Sequence, residues 1–268
     1  MKLLYTQDSP TPEDYFAVGA NYPPQVIAEG KRIIAFLHYL QQHNPRPDLY
    51  LHTEMFGLNC SLLDYSGAVR VEPRNQQLHL SYAIPKRWSG WDNARVVGHT
   101  ADISEATAML LAAFEQQPRP SDWRDELLAT PTKQTSQNLE TLRIRLQRIS
   151  EQAPETLYAY YEALQTDTTL ATRYAAEHML AFLAQISDET GIATYWCYTQ
   201  GTSLTLTNHD AIHTGVTIRP TANISYSISY TLDPDRAPWT DAQIEGSTQS
   251  LDETIHVTAV ALRQKWPR

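Results

Sequence analysis

Residues 91–105 read Trp-Asp-Asn-Ala-Arg-Val-Val-Gly-His-Thr-Ala-Asp-Ile-Ser-Glu, and residues 239–253 read Trp-Thr-Asp-Ala-Gln-Ile-Glu-Gly-Ser-Thr-Gln-Ser-Leu-Asp-Glu. Set one on the other, they coincide at Trp91 and Trp239, Ala94 and Ala242, Gly98 and Gly246, Thr100 and Thr248, and Glu105 and Glu253. Two further matches stand at nearly the same separation. Val69-Arg-Val71-Glu-Pro73 resembles Val216-Thr-Ile218-Arg-Pro220, and Ala35-Phe36-Leu37 repeats as Ala181-Phe182-Leu183. The shared residues are of the kind that shape a backbone. Gly98 and Gly246 suit a strand turning toward a helix. Asp102 and Ser250 suit N-caps, with Glu105 and Glu253 as their capping-box partners.

Outward from these stretches the periodicity alternates between helix and strand. Pro23-Pro24 opens a helical pattern over about 24–43, with Val26, Ile27, Ile33, Ile34, Phe36, Leu37 and Leu40 on one side, and Asn44-Pro45-Arg46-Pro47 closes it. From Leu49 the period falls to two, through Leu49-Leu51, Leu58-Cys60-Leu62, Val69-Val71 and Leu78-Leu80-Tyr82, with turn residues between: an antiparallel meander. A short strand over 94–97 and a helix over 103–117 follow. Residues 118–190 lack glycine and read as helices over 121–129, 137–152, 155–165 and 168–187. Strand character returns from Ala193 to Tyr230, and a helix spans 251–265.

The expectation is therefore an α+β fold: a tandem duplication of a helix/antiparallel-sheet/helix unit forming a pseudo-dimer, joined by a helical connector. The expected boundaries are a first unit over 1–118, a connector over 119–166 and a second unit over 167–268.

Composition narrows the function. The chain has 268 residues, 42% hydrophobic and 19% charged, enough apolar content for a core. Its 10 glycines are nowhere closer than Gly90 and Gly98, too dispersed for a Walker loop, a nucleophile elbow or a dinucleotide fingerprint. The 2 cysteines, Cys60 and Cys197, form no CxxC and no disulfide framework. With no apolar run approaching a membrane span and no signal-peptide pattern, the expectation is a soluble, cytoplasmic protein. The net charge is −9, and the acid is concentrated late: residues 1–120 hold 10 basic and 12 acidic side chains, residues 121–268 hold 11 and 18. An anionic surface repels phosphate and attracts cations, so nucleic acid is not expected as a partner and a basic protein is.

Partner contacts are expected in two loops at matching positions, the basic 85–91 and the acidic 233–239. The candidates are Arg87, Trp88, Trp91, Asp233, Asp235, Trp239 and Asp241, because tryptophan, arginine and paired charges dominate interface hot spots. Trp91 and Trp239, being shared, read first as wedges closing each unit's core, which makes unshared Trp88 the better contact candidate. No metal, cofactor or catalytic site is expected. His209 and His213 lie in a turn, His52 and His79 are on separate strands, Cys60 alternates with core leucines, and Cys197 stands between Trp196 and Tyr198. The expected function is a non-catalytic, cytoplasmic protein-binding protein, of the immunity or antitoxin-like inhibitor type, that neutralises a basic effector through an acidic surface and aromatic loops. The rival readings are a hydrolase-type enzyme with its site in a cleft between the units, using His52, His79 or Cys197, and a secretion chaperone or structural scaffold.

Overall fold

The structure, a computed structural model, describes residues 4–5, 12–17, 22–43, 46, 48–54, 57–62, 67–84, 91, 93–116, 144–149, 156–187, 193–208, 215–221 and 225–266. Two compact units interleave along the chain. Unit 1 comprises 1–84, 95–133 and 234–242; unit 2 comprises 85–94, 134–233 and 243–268.

Unit 1 contains β1 (Leu4–Tyr5), α1 (Pro12–Phe16), α2 (Pro24–His43), β2 (Leu49–Glu54), β3 (Gly57–Leu62), β4 (Val69–Arg74), β5 (Gln77–Ala83), β6 (Arg95–Thr100) and α3 (Ile103–Gln116). β2 to β6 pair antiparallel in chain order, whereas β1 runs parallel to β2. Alternation sends Leu49, Leu51, Leu58, Cys60, Leu62, Val69, Val71, Leu78, Leu80 and Tyr82 into a core shared with Ile33, Phe36, Leu37 and Leu40 of α2 and with Leu110 and Phe114 of α3. Pro73 sits within β4 without breaking the sheet, because β3 pairs only with Val69–Val71 and asks no amide of position 73.

Unit 2 contains β7 (Ile144–Arg148), α4 (Leu157–Leu164), α5 (Leu170–Ile186), β8 (Ala193–Gln200), β9 (Ser203–Thr207), β10 (Val216–Pro220), β11 (Tyr226–Thr231), β12 (Gln243–Thr248) and α6 (Leu251–Lys265). β8 to β12 pair antiparallel in chain order, and β7 lies parallel to β8 at the edge. Met179, Phe182 and Leu183 of α5 and Ile255, Val257 and Leu262 of α6 cover Leu204, Leu206, Val216, Ile218 and Ile228.

This architecture overturns the expected fold class. The described chain is mostly mixed sheet with a few helices, and not a helix/antiparallel-sheet/helix unit used twice and linked as a pseudo-dimer by a helical connector. The sheet is mixed in each unit because β1 pairs in parallel with β2 and β7 in parallel with β8. Within the expected connector, 144–148 is a strand and not part of a helix. Ile144-Arg-Leu-Gln-Arg148 alternates with period two, and its parallel partner β8 supplies the hydrogen bonds that a lone helix-prone segment would otherwise satisfy internally. The helix expected over 121–129 lies outside the described residues.

The two capping sites form with altered wiring. Asp102 Oδ1 accepts the amides of Ser104 and Glu105 at 2.7 and 3.0 Å. Glu105, however, takes the hydroxyl of Thr100, whose own oxygen accepts the Asp102 amide. Ser250 Oγ accepts the Glu253 amide at 3.2 Å, and the Glu253 carboxylate returns to Gln249 instead of to Ser250. No helix among the described residues is long and apolar enough to cross a membrane.

Candidate functional site

The acidic candidates lie on the segment that leaves β11. Asp233 accepts from Nζ of Lys265 at 2.7 Å, and the same ammonium donates to the carbonyl of Thr231 at 2.7 Å. Lys265 is only 6% exposed. The two bonds keep the charge of the last turn of α6 satisfied where water is excluded. Asp235 stands exposed in the following turn. Trp239 turns inward onto Gly98 of β6, with Tyr82 of β5 edge-on at 6.1 Å. Asp241 is exposed two residues later, in left-handed backbone at φ 58°, and Ala242 donates back to the Trp239 carbonyl at 3.2 Å. The indole therefore pins a proline-bounded loop whose Asp235 and Asp241 carboxylates face solvent.

Trp91 does the equivalent within unit 2. It is 2% exposed, its ring lies on Gly246 of β12, and Tyr230 is its neighbour at 6.3 Å. Both tryptophans are core-seating residues, and the glycines matched to them in sequence are the notches they fill. Arg87 and Trp88 lie outside the described residues, as do His209 and His213.

By compact unit the acidity is shared. Unit 1 carries 16 acidic and 11 basic side chains and unit 2 carries 14 and 10, because residues 121–133 and 234–242 count with unit 1 and the loop 85–94 counts with unit 2.

The titratable candidates are not brought together. His52 on β2 and His79 on β5 are separated by β3 and β4, roughly 14 Å at three strand spacings. His79 instead stacks on His99, its register partner on β6, with ring centroids 5.3 Å apart. On its other side stands Glu72 of β4, bridged by Arg70 and Arg74. Burial, then His99, then Arg74, lower the His79 pKa, while Glu72 and a backbone hydrogen bond at Arg74 oppose them. Both thiols are buried. Cys60 is fully buried and its pKa is pushed far up by desolvation. That of Cys197 is pushed up to about 12 by burial despite the opposing charge of Arg148. A thiol that stays protonated is no nucleophile at neutral pH. Arg148 lies over the Tyr160 ring at 5.6 Å and donates to Thr199 at 3.3 Å. Among the described residues no group of three or more His, Cys, Asp or Glu side chains is placed to hold a metal ion. Compared with protein-family models, with curated proteins and with solved structures, the chain matches none.

Proposed function

We propose that the protein is a non-catalytic binding protein that captures a basic protein partner, in the manner of an immunity or antitoxin-like inhibitor, with Asp235 and Asp241 on the 234–242 loop as its principal charges. One observation supports this reading above others: the loop is anchored by Trp239 in the Gly98 notch while its two carboxylates face solvent. A contact loop already held in one conformation loses little entropy on binding, and solvent-facing carboxylates can pair with basic groups of a partner. The burial of Cys60 and Cys197, which raises both thiol pKa values, favours binding over covalent catalysis.

The test is capture from the source cells by tagged wild-type protein and by the double variant Asp235→Lys/Asp241→Lys, matched for melting temperature. The reading expects a basic protein that the wild type retains, that is released between about 50 and 300 mM salt, and that the variant does not hold. Equal retention by both, or a partner held independently of salt, overturns it.

A further inference from the structure

Unit 1 also carries a cleft of about 650 Å³ between α2 and the β4–β5 hairpin, lined by Gln25, Ala28, Glu29, Arg32, Asn75 and Gln76. Gln25, Glu29 and Arg32 fall four and then three residues apart and so share one face of α2. All three are held in place: Gln25 Nε2 donates to Glu29 Oε1 at 3.0 Å, and Arg32 Nη1 donates to the carbonyl of Ala101 at 2.9 Å.

The hairpin side is more telling. Arg74 pairs with Gln77, leaving Asn75 and Gln76 as a two-residue turn, with φ 48° and 63°. A turn left-handed at both positions accepts asparagine first and strongly favours glycine second. A glutamine in second place carries backbone strain that glycine would not. The strain is unneeded for the hairpin, since glycine would relieve it. A strained residue whose side chain lines a cleft directs attention to what that side chain binds.

The lining has a definite chemistry. Its polar groups are three carboxamides, one carboxylate and one guanidinium, all planar and all able to form paired hydrogen bonds. Glu29 and Arg32 cancel in formal charge, so the cleft favours no net charge in its occupant. Planar two-point groups match adjacent hydroxyls on a ring, the Ala28 methyl and the side-chain stems offer apolar surface to C–H faces, and the volume lies in the usual range for small-molecule sites. We propose that this cleft binds a neutral polyhydroxylated ligand of the saccharide class. The proposal is independent of the basic-partner reading, which rests on other residues.

The test is a titration of isotopically labelled full-length protein with maltose, cellobiose, lactose and trehalose, followed through the side-chain amide signals of Gln25, Asn75 and Gln76, with free L-glutamine as the zwitterionic control. The expected result is saturable shifts with at least one disaccharide and none with glutamine. Glu29→Gln should weaken binding about tenfold through loss of a charged acceptor. Gln76→Gly is the decisive variant: it should raise the melting temperature by relieving strain and yet weaken binding about fivefold or more by removing the side chain. Absence of saturable shifts with all four disaccharides up to about 50 mM, a range covering weak millimolar sites, overturns the proposal. So does tighter binding of glutamine, or a Gln76→Gly variant that binds as well as the wild type.

Discussion

Trp239 fills the space that a side chain on Gly98 would need. A Cβ at position 98 would come within 2.7 Å of the indole Cε2 and 2.6 Å of Met109 Cε. The mirror arrangement holds in unit 2, where a Cβ on Gly246 would come within 2.9 Å of Trp91 Cε2. The two residue types are therefore a matched pair, a large flat ring and a position without a side chain.

Gly98→Ala should destabilise the fold by about 1–3 kcal/mol through overpacking, and Trp239→Ala by about 3–5 kcal/mol through loss of the ring. The two effects should not add. In a Trp239→Ala background the alanine at 98 should cost little, a coupling that urea denaturation of the four proteins in the cycle measures directly. Additive losses would show that the glycine answers to some other neighbour.

Asp233→Asn leaves the Lys265 ammonium hydrogen-bonded but without its counter-charge, and the expected loss is about 1–3 kcal/mol, below the figure for a fully buried pair because Asp233 is 42% exposed. Adding Lys265→Met, which removes the stranded charge, should restore part of that loss. Thermal melts of the single and double variants check the order of stabilities.

Neither thiol should react in the native protein. With Cys197 held at about 12 and Cys60 pushed higher by burial, a thiol reagent at pH 8 should label neither and should label both once urea unfolds the chain. Fast native-state labelling of Cys197 would contradict its burial.

His79 has a folded pKa below its ordinary 6.5, so the unfolded chain takes up the proton more readily. Its neutral form contributes stability that is fully present above pH 6.5 and is lost as pH falls from there toward the lower folded value. Urea midpoints measured at pH 7.5 and 5.5 should fall with pH in the wild type and fall less in His79→Gln. An unchanged pH dependence in the variant would assign the effect elsewhere.

Much of the local structure was legible in the residues. Pro24 and the apolar stripe of 26–40 specify α2, and alternation specifies β2 to β5. Ser250 with Glu253 marks the start of α6, because a cap is chemistry between residues a few positions apart. The segment 144–148 was harder. Its alternation is only five residues long, and what makes it a strand is the parallel ladder with β8, supplied by residues about fifty positions away. The cleft of unit 1 was not legible at all, since nothing in the sequence brings Asn75 and Gln76 beside Gln25 and Arg32.

Sequence by itself determined which segments turn, which alternate and which positions lack a side chain, because these depend on torsional preference and near-neighbour spacing. The tertiary structure decided what each tryptophan seats against, which carboxylates remain in water, and that β1 and β7 pair in parallel with β2 and β8. Those outcomes depend on excluded volume and solvent access among groups far apart in the chain, and no local pattern encodes them.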